Sequence, residues 1–206
     1  MRSNLGIVAS SRVAGAATPP AVVQTTSQLT ISTTVNATWS STPTDGNLMI
    51  VAMAGGGTFT TPTGWTAGPT DTAGGMKVAI FYKVAASETT GLTFEASLNS
   101  RLAAWEVSNL SGTHDAFGNG GVAGNGTSMS MSATATTDVG FAIAVASTNV
   151  AITDLAWTGD VSARLVHSSL NTADLTYSTS GTKTANVSWT GSAQRGGIVV
   201  TFPGGS

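Results

Sequence analysis

Few side chains could carry out catalysis, and their spacing does not assemble them into a known catalytic pattern. His114 and Asp115 form an adjacent pair of histidine and carboxylate, and the many serines supply candidate nucleophiles. A serine hydrolase needs a nucleophile presented on a sharp turn, and the G-x-S-x-G pattern that builds this turn does not occur. We therefore interpret Asp115 as a turn-forming residue, and we predict no catalytic role for His114 or His167.

The sequence also lacks the patterns of other common catalytic and binding sites. The ten acidic residues are dispersed singly, whereas glycoside hydrolysis needs two carboxylates held face to face. The absence of cysteine excludes disulfides, thiolate metal sites and a cysteine nucleophile. No calcium-loop pattern is present, and the run Gly55-Gly56-Gly57 lacks the lysine that follows a phosphate-binding loop. We predict a non-enzyme without a metal or cofactor.

Charge and hydropathy exclude two further classes of partner. Charged residues make up only 9% of the chain, with 8 Lys and Arg against 10 Asp and Glu, and no segment concentrates the positive ones. Nucleic-acid binding requires clustered Lys or Arg at the phosphates. The apolar runs fall far below the ~20 residues of a membrane helix, and the run at residues 5–9 is too short for a signal peptide. We expect a soluble protein without nucleic-acid or membrane partners.

The apolar pattern predicts many short β-strands. Residues 28–39 alternate, which would place Leu29, Ile31, Thr33, Val35, Ala37 and Trp39 on one face. Residues 47–54 and 76–85 are apolar almost throughout, as in strands covered on both faces; we prefer strand to helix because glycines bracket them and β-favouring residues fill the second. Further predicted strands are 92–97, 101–107, 127–136, 139–147, 161–168, 175–178, 185–189 and 196–202.

Regular turn signals between short strands favour an all-β, antiparallel two-sheet sandwich, jelly-roll-like, over βαβ units. We predict one such domain at residues 21–206, with the sandwich spanning about residues 22–202. The glycine-rich segment 113–126 is the best candidate for a long surface loop. The side chains predicted to be buried are Leu48, Ile50, Val78, Ile80, Phe81, Leu102, Trp105, Phe141, Ile143, Val145, Val199 and Phe202.

Residues 1–20 form a predicted N-terminal arm. Its apolar side chains are Leu5, Ile7 and Val8, and Pro19-Pro20 makes a stiff extended joint to the domain. Two interpretations remain open: a terminus without fixed structure, or an extended peptide whose three apolar residues bind a neighbouring subunit.

The five tryptophans could belong either to the core or to a sugar-binding surface. Trp39, Trp105 and Trp189 lie in alternating segments, where a core position is the default. Trp65 follows a Pro/Gly turn and is therefore a candidate displayed aromatic. The alternative, which we prefer, is that Trp65 closes one end of the sandwich.

Segments between residues 46 and 112 resemble a jelly-roll-type β module of tailed-bacteriophage virion proteins and related bacterial surface proteins. The resemblance rests on Pro-x-Gly-Trp-Thr at 62–66 and on the segments 46–51, 81–85, 92–94 and 105–112. It covers about a third of the chain in detail. What it implies is a structural role in a virus particle, as a head decoration or tail-associated protein, with no catalytic residues.

The sequence thus predicts a non-enzymatic capsid decoration or cement protein that acts through subunit contacts. Its expected partners are copies of itself and other virion proteins, such as the major capsid protein or tail subunits. Its expected location is the virion, assembled in the host cytoplasm. The alternative function is a tail-associated module that binds a receptor or a carbohydrate, and a β-fold hydrolase would instead place a histidine beside a carboxylate in a pocket.

Overall fold

The computed structural model describes residues 18–72, 75–167 and 169–205 and confirms the predicted all-β sandwich of two antiparallel sheets. Within these residues there is no α-helix, and hence none that could span a membrane. The strands are β1 Ala21–Thr38, β2 Leu48–Gly55, β3 Phe59–Thr60, β4 Thr66–Asp71, β5 Lys77–Val84, β6 Gly91–Ser108, β7 Ala116–Asn119, β8 Asn125–Ala135, β9 Gly140–Thr148, β10 Thr153–Gly159, β11 Ser162–Leu165, β12 Leu170–Tyr177 and β13 Gly181–Pro203.

Each sheet is built from consecutive strands. The first sheet has the order β1-β6-β2-β5-β4, and β3 also pairs with β6. The second has the order β10-β13-β9-β12-β11, and β7 and β8 also pair with β13. Residues 21–108 therefore form a first half and residues 116–203 a second half, joined by the connecting segment 109–115.

The two halves share one pairing scheme. Every strand pair of the first sheet recurs in the second with strand numbers raised by seven: β2 with β5 becomes β9 with β12, and β3 with β6 becomes β10 with β13. The long strand β1 corresponds to β7 and β8 together, since these pair with the C-terminal and N-terminal parts of β13 as β1 pairs along β6. The described chain is thus an internal duplication at the level of strand pairing.

The inner faces of the two sheets enclose the central core. Trp105 of β6 is 1% exposed, and its indole Nε1 donates a hydrogen bond across the sheets to Asp174 of β12 at 3.2 Å. Aromatic and branched side chains surround this contact. The buried members are Leu48, Ile50, Ala52, Ala54, Val78, Ile80, Tyr82, Ala103, Trp105, Val107 and Leu110, with Phe141, Ile143, Val145, Leu170, Ile198, Val200 and Phe202 from the second half.

Each sheet also has an outer core, on the face that points away from the other sheet. We call the outer core of the first sheet the first outer core. On β2 the odd-numbered side chains Met49, Val51 and Met53 pack against Val35 of β1 and Phe94 of β6, opposite the central core. In the second half Ala144 and Ala146 of β9 belong to the equivalent outer core. Strands β2 and β9 are buried at every position, which explains their almost continuous apolar sequences.

The predicted core is confirmed, because all twelve residues named from the sequence are buried. Several predicted boundaries were wrong. Segments 92–97 and 101–107 form one strand, β6, and segments 185–189 and 196–202 form one strand, β13. The proposed loop 113–126 contains β7 and the start of β8. Strands β3, β4 and β10 were not predicted.

The alternation predicted for residues 28–39 also breaks within β1. Val35, Ala37 and Trp39 are buried as expected, but Ile31 is 47% exposed. The pairing of β1 with β6 shifts register between Gln28 and Thr34. A shift of one residue moves every following side chain to the other face of the sheet, so the single face inferred from the sequence does not exist.

Truncation of Trp105 tests the central core. We expect Trp105→Ala to lower the free energy of unfolding by about 3–5 kcal/mol, because it leaves a cavity and removes a donor from buried Asp174. Urea denaturation of the purified protein measures this loss. Trp65→Ala is the matched control, since Trp65 is only half-buried. An equal loss in the two variants would contradict the central position of Trp105.

Candidate functional site

The side chains of His114 and Asp115 contact different residues. The Nδ1 atom of His114 lies 3.3 Å from the hydroxyl of Tyr82, and its ring packs edge-on against Phe117. The carboxylate of Asp115 instead accepts hydrogen bonds from the backbone N and the hydroxyl of Thr136, at 2.6 and 2.7 Å. Asp115 therefore fixes the turn after β8 and not, as predicted, a turn within its own loop.

His167 lies in the turn between β11 and β12. Its backbone N donates to Asn171 at 2.7 Å, and its Nδ1 accepts from the backbone N of Ser169 at 3.4 Å. Burial lowers the pKa of His167, and the positive charge of Arg101 lowers it further. Both effects favour the neutral imidazole, whose Nδ1 is held within the turn by Ser169.

Groups of three or more His, Cys, Asp or Glu side chains that could hold a metal ion do not occur among residues 18–72, 75–167 and 169–205. The buried carboxylates are instead separated from one another, and each has its own set of donors. Each of these carboxylates holds separate parts of the chain together.

Glu106 is the most enclosed of these carboxylates. It is fully buried on β6 and accepts hydrogen bonds from Gln24 Nε2 at 2.6 Å, Thr44 N at 2.8 Å and Asn47 Nδ2 at 2.5 Å. Burial alone would raise the pKa of Glu106, but the bonds from Thr44, Asn47 and Gln24 together outweigh it and lower that pKa. Glu106 thereby fixes the loop between β1 and β2.

Two buried aspartates join the halves. Asp71, at the end of β4, accepts hydrogen bonds from the backbone N of Gly121 and of Gly197, both at 2.8 Å. Asp174 of β12 binds Trp105 and makes a two-point ion pair with Arg164, at 2.6 and 2.9 Å. A cavity of about 130 Å³ opens beside this pair. Each aspartate belongs to one half and accepts at least one hydrogen bond from the other.

An apolar surface lies where the two halves meet; we call it the junction patch and define it as Val84, His114 and Phe117. Val84 is 45% and Phe117 50% exposed. The ring of His114 contacts both Tyr82 and Phe117, with centroids 5.8 and 6.2 Å apart. Tyr82 in turn packs edge-on against buried Phe202. The patch therefore lies over packed aromatic side chains that reach into the central core.

The structure places the remaining sequence candidates as follows. Trp65 is half-buried and packs edge-on against Phe94, with ring centroids 5.1 Å apart, at the edge of the first outer core. Leu5, Ile7 and Val8 lie outside the described residues.

Sequence reasoning missed the buried carboxylates and the junction patch. Glu106 and Gln24 are 82 positions apart, and Gly197 and Asp71 are 126 apart. No local pattern marks a carboxylate whose donors lie so far along the chain. Phe117 is the residue from which the patch could have been predicted, because it is an aromatic residue within an otherwise glycine-rich segment.

No protein-family model, no curated protein and no solved structure matches the chain. The likeness of residues 46–112 to a bacteriophage module therefore stays a prediction from the sequence.

The hydrogen bonds of Glu106 predict an acid-sensitive contribution to stability. Because its pKa is lower in the folded state than the ordinary 4.5, the ionised carboxylate stabilises the fold above that pH. The contribution is lost as the pH falls through the folded-state pKa. We expect Glu106→Gln to cost about 2–3 kcal/mol at pH 7 and clearly less at low pH, by urea denaturation at each pH.

Glu95→Gln is the matched control, because Glu95 is an exposed residue on the same strand that accepts a single hydrogen bond from Thr34. It should change stability little at either pH. A Glu106→Gln penalty that stays constant across the pH range would contradict the assignment.

Proposed function

We propose that the chain is a non-enzymatic structural protein of a bacteriophage virion, a capsid decoration or cement protein that acts through contacts between subunits. The observation that carries the proposal is the junction patch, a partly exposed apolar surface over packed aromatic side chains. The resemblance of residues 46–112 supports the same role. The proposed partners are copies of the chain and other virion proteins, such as the major capsid protein or tail subunits, and the proposed location is the assembled virion.

The size of the junction patch suits repeated, individually weak contacts. Full burial of a large apolar side chain contributes roughly 1.5–3 kcal/mol. Covering the exposed halves of Val84 and Phe117 would therefore contribute about 2 kcal/mol, before the cost of association is subtracted. One such contact cannot hold a dimer at low concentration. Repetition over a symmetric particle makes attachment multivalent and compensates for this weakness.

The arm reaches the domain close to the same connecting segment. The side-chain amide of Asn109 donates to the carbonyl of Pro19 at 3.2 Å, and the hydroxyl of Thr176 donates to that of Pro20 at 3.4 Å. Asn109 opens the segment that also carries His114. Leu5, Ile7 and Val8 therefore precede the point where the chain joins the first sheet, and we propose that arm and patch both contact neighbouring subunits.

The alternative function, a tail-associated receptor- or carbohydrate-binding module, is favoured by one observation. A cavity of about 230 Å³ lies on the outer face of the first sheet, where Phe81 lines it. Tyr82, the next residue, faces the central core beneath the junction patch. The cavity and the patch thus lie on opposite faces of β5, and a ligand in one leaves the other free.

Two changes test the assembly role. Deletion of residues 1–17 keeps the contacts of Pro19 and Pro20, and the double change Val84→Ser with Phe117→Ser alters only partly exposed side chains. We expect each variant to remain folded, with a thermal midpoint within a few degrees of the full-length protein. Each should weaken self-association, measured by light scattering, and attachment to virus particles, measured by co-sedimentation.

Leu98→Ser with Val166→Ser is the matched control, because these side chains are 56% and 59% exposed but lie outside the patch. The control should associate as the full-length protein does. If both test variants also associate and attach as well as the full-length protein, neither the arm nor the patch mediates assembly.

A further inference from the structure

The cavity on the outer face of the first sheet has the composition of a small ligand site. A volume of about 230 Å³ lies open between β3, β4 and β5, which is room for several water molecules and hence for a small ligand. Its lining combines aromatic rings, hydroxyls and one cation. The side chains that matter for recognition are Phe59, Phe81, Thr61, Thr70, Thr72 and Lys77.

The shape of the cavity is fixed by its surroundings. Small side chains at Ala67 and Ala79 provide its depth, and the pairing of β4 with β5 shifts register between Ala67 and Thr70. Asp71 anchors the rim, since it lies between Thr70 and Thr72 and binds two backbone N–H groups of the second half. On the other wall Gly57 is required, because a Cβ there would approach Leu98 N at 2.6 Å.

The equivalent region of the second half is covered by different side chains. Strands β10, β11 and β12 correspond to β3, β4 and β5 in the shared pairing scheme. There Leu155, Trp157 and Leu175 pack against the outer core, together with buried Val161. The threonines and the lysine that line the cavity of the first half therefore do not follow from the shared pairing scheme alone.

The lining specifies the chemistry of the ligand. Phe59 is half-buried and offers an apolar aromatic surface, against which the C–H face of a sugar ring can pack. Phe81 also lines the cavity but is only 3% exposed. Thr61, Thr70 and Thr72 are exposed, and their hydroxyls make no hydrogen bond within the described part of the chain. Hydroxyls that both donate and accept match the hydroxyls of a sugar.

Lys77 sets the charge of the ligand. It is the charged side chain among those that line the cavity, and within the described residues it forms no ion pair. A carboxylate on the sugar would give this ammonium a charge-assisted hydrogen bond at a partly desolvated position. A neutral sugar would leave it without a partner.

We infer that this cavity binds a carboxylate-bearing sugar ring, the unit of an acidic glycan. The ring packs against Phe59 and Phe81, its hydroxyls bind the threonines, and its carboxylate binds Lys77. The site does not depend on the assembly role, because the junction patch lies on the other face of β5.

Titration with sodium glucuronate, followed by backbone amide NMR shifts, tests the inference. We expect saturable shifts confined to residues 57–61, 67–72 and 77–81, with a dissociation constant on the order of 1 mM, as for a single ring in a shallow site. Glucose should bind about fivefold more weakly or worse, because it lacks the carboxylate. Sodium acetate, which lacks the ring, should give no saturable shift.

Three variants sharpen the test. Lys77→Gln should remove the preference for glucuronate over glucose, and Ala67→Phe should abolish binding of both by filling the cavity. Ala163→Phe is the matched control, since Ala163 is an exposed residue on β11, the strand equivalent to β4. Signals elsewhere in each spectrum report whether the variant is folded.

Several results would overturn the inference. These are the absence of saturable shifts at the cavity, shifts that persist in a folded Ala67→Phe variant, and equal binding of glucose and glucuronate by the unaltered protein. Loss of binding in Ala163→Phe would equally contradict the location of the site. None of these results bears on self-association, so the assembly role is tested separately.

Discussion

The structure depends on the burial of the inner faces of both sheets against each other. Because each sheet also carries an outer core, β2 and β9 have no solvent-facing side and must be apolar at nearly every position. The two buried aspartates at this interface both have hydrogen-bond donors. Asp174 binds Trp105 and Arg164, and Asp71 binds two backbone N–H groups. An unpaired charge at these positions would be strongly destabilising, so the two contacts also fix how the halves meet.

The two halves share one strand-pairing scheme but differ in the residues on their outer faces. Both halves use the same strand partners to close their cores, yet the residues that cover the outer faces differ between them. Leu155 and Trp157 pack onto the core of the second half, whereas Thr61 and Lys77 line a cavity in the first. The connecting segment 109–115 adds a surface of its own at the junction. One framework therefore carries two distinct surfaces on opposite faces of β5.

Much of the fold, but little of the site, could be predicted from the sequence. Apolar runs and glycine brackets located β2, β5 and β9 because burial on both faces leaves a local signal. The continuity of β6 and β13 could not be predicted, since their polar middle segments resemble turns and are held as strand only by pairing with partners. The duplication could not be recognised in the sequence, because the two halves share their strand pairing but not their amino-acid residues. The donors of Glu106 lie up to 82 positions away, so no local pattern could reveal them.

The central claim is that the chain works as a repeated subunit of a virus particle. Quantitative mass spectrometry of gradient-purified particles from the encoding host tests it most directly. The account predicts that the protein co-sediments with the particles in a fixed ratio to the major capsid protein or to a tail subunit, because symmetric attachment requires defined stoichiometry. A protein that stays entirely in the soluble fraction, with none on the particles, would contradict the claim.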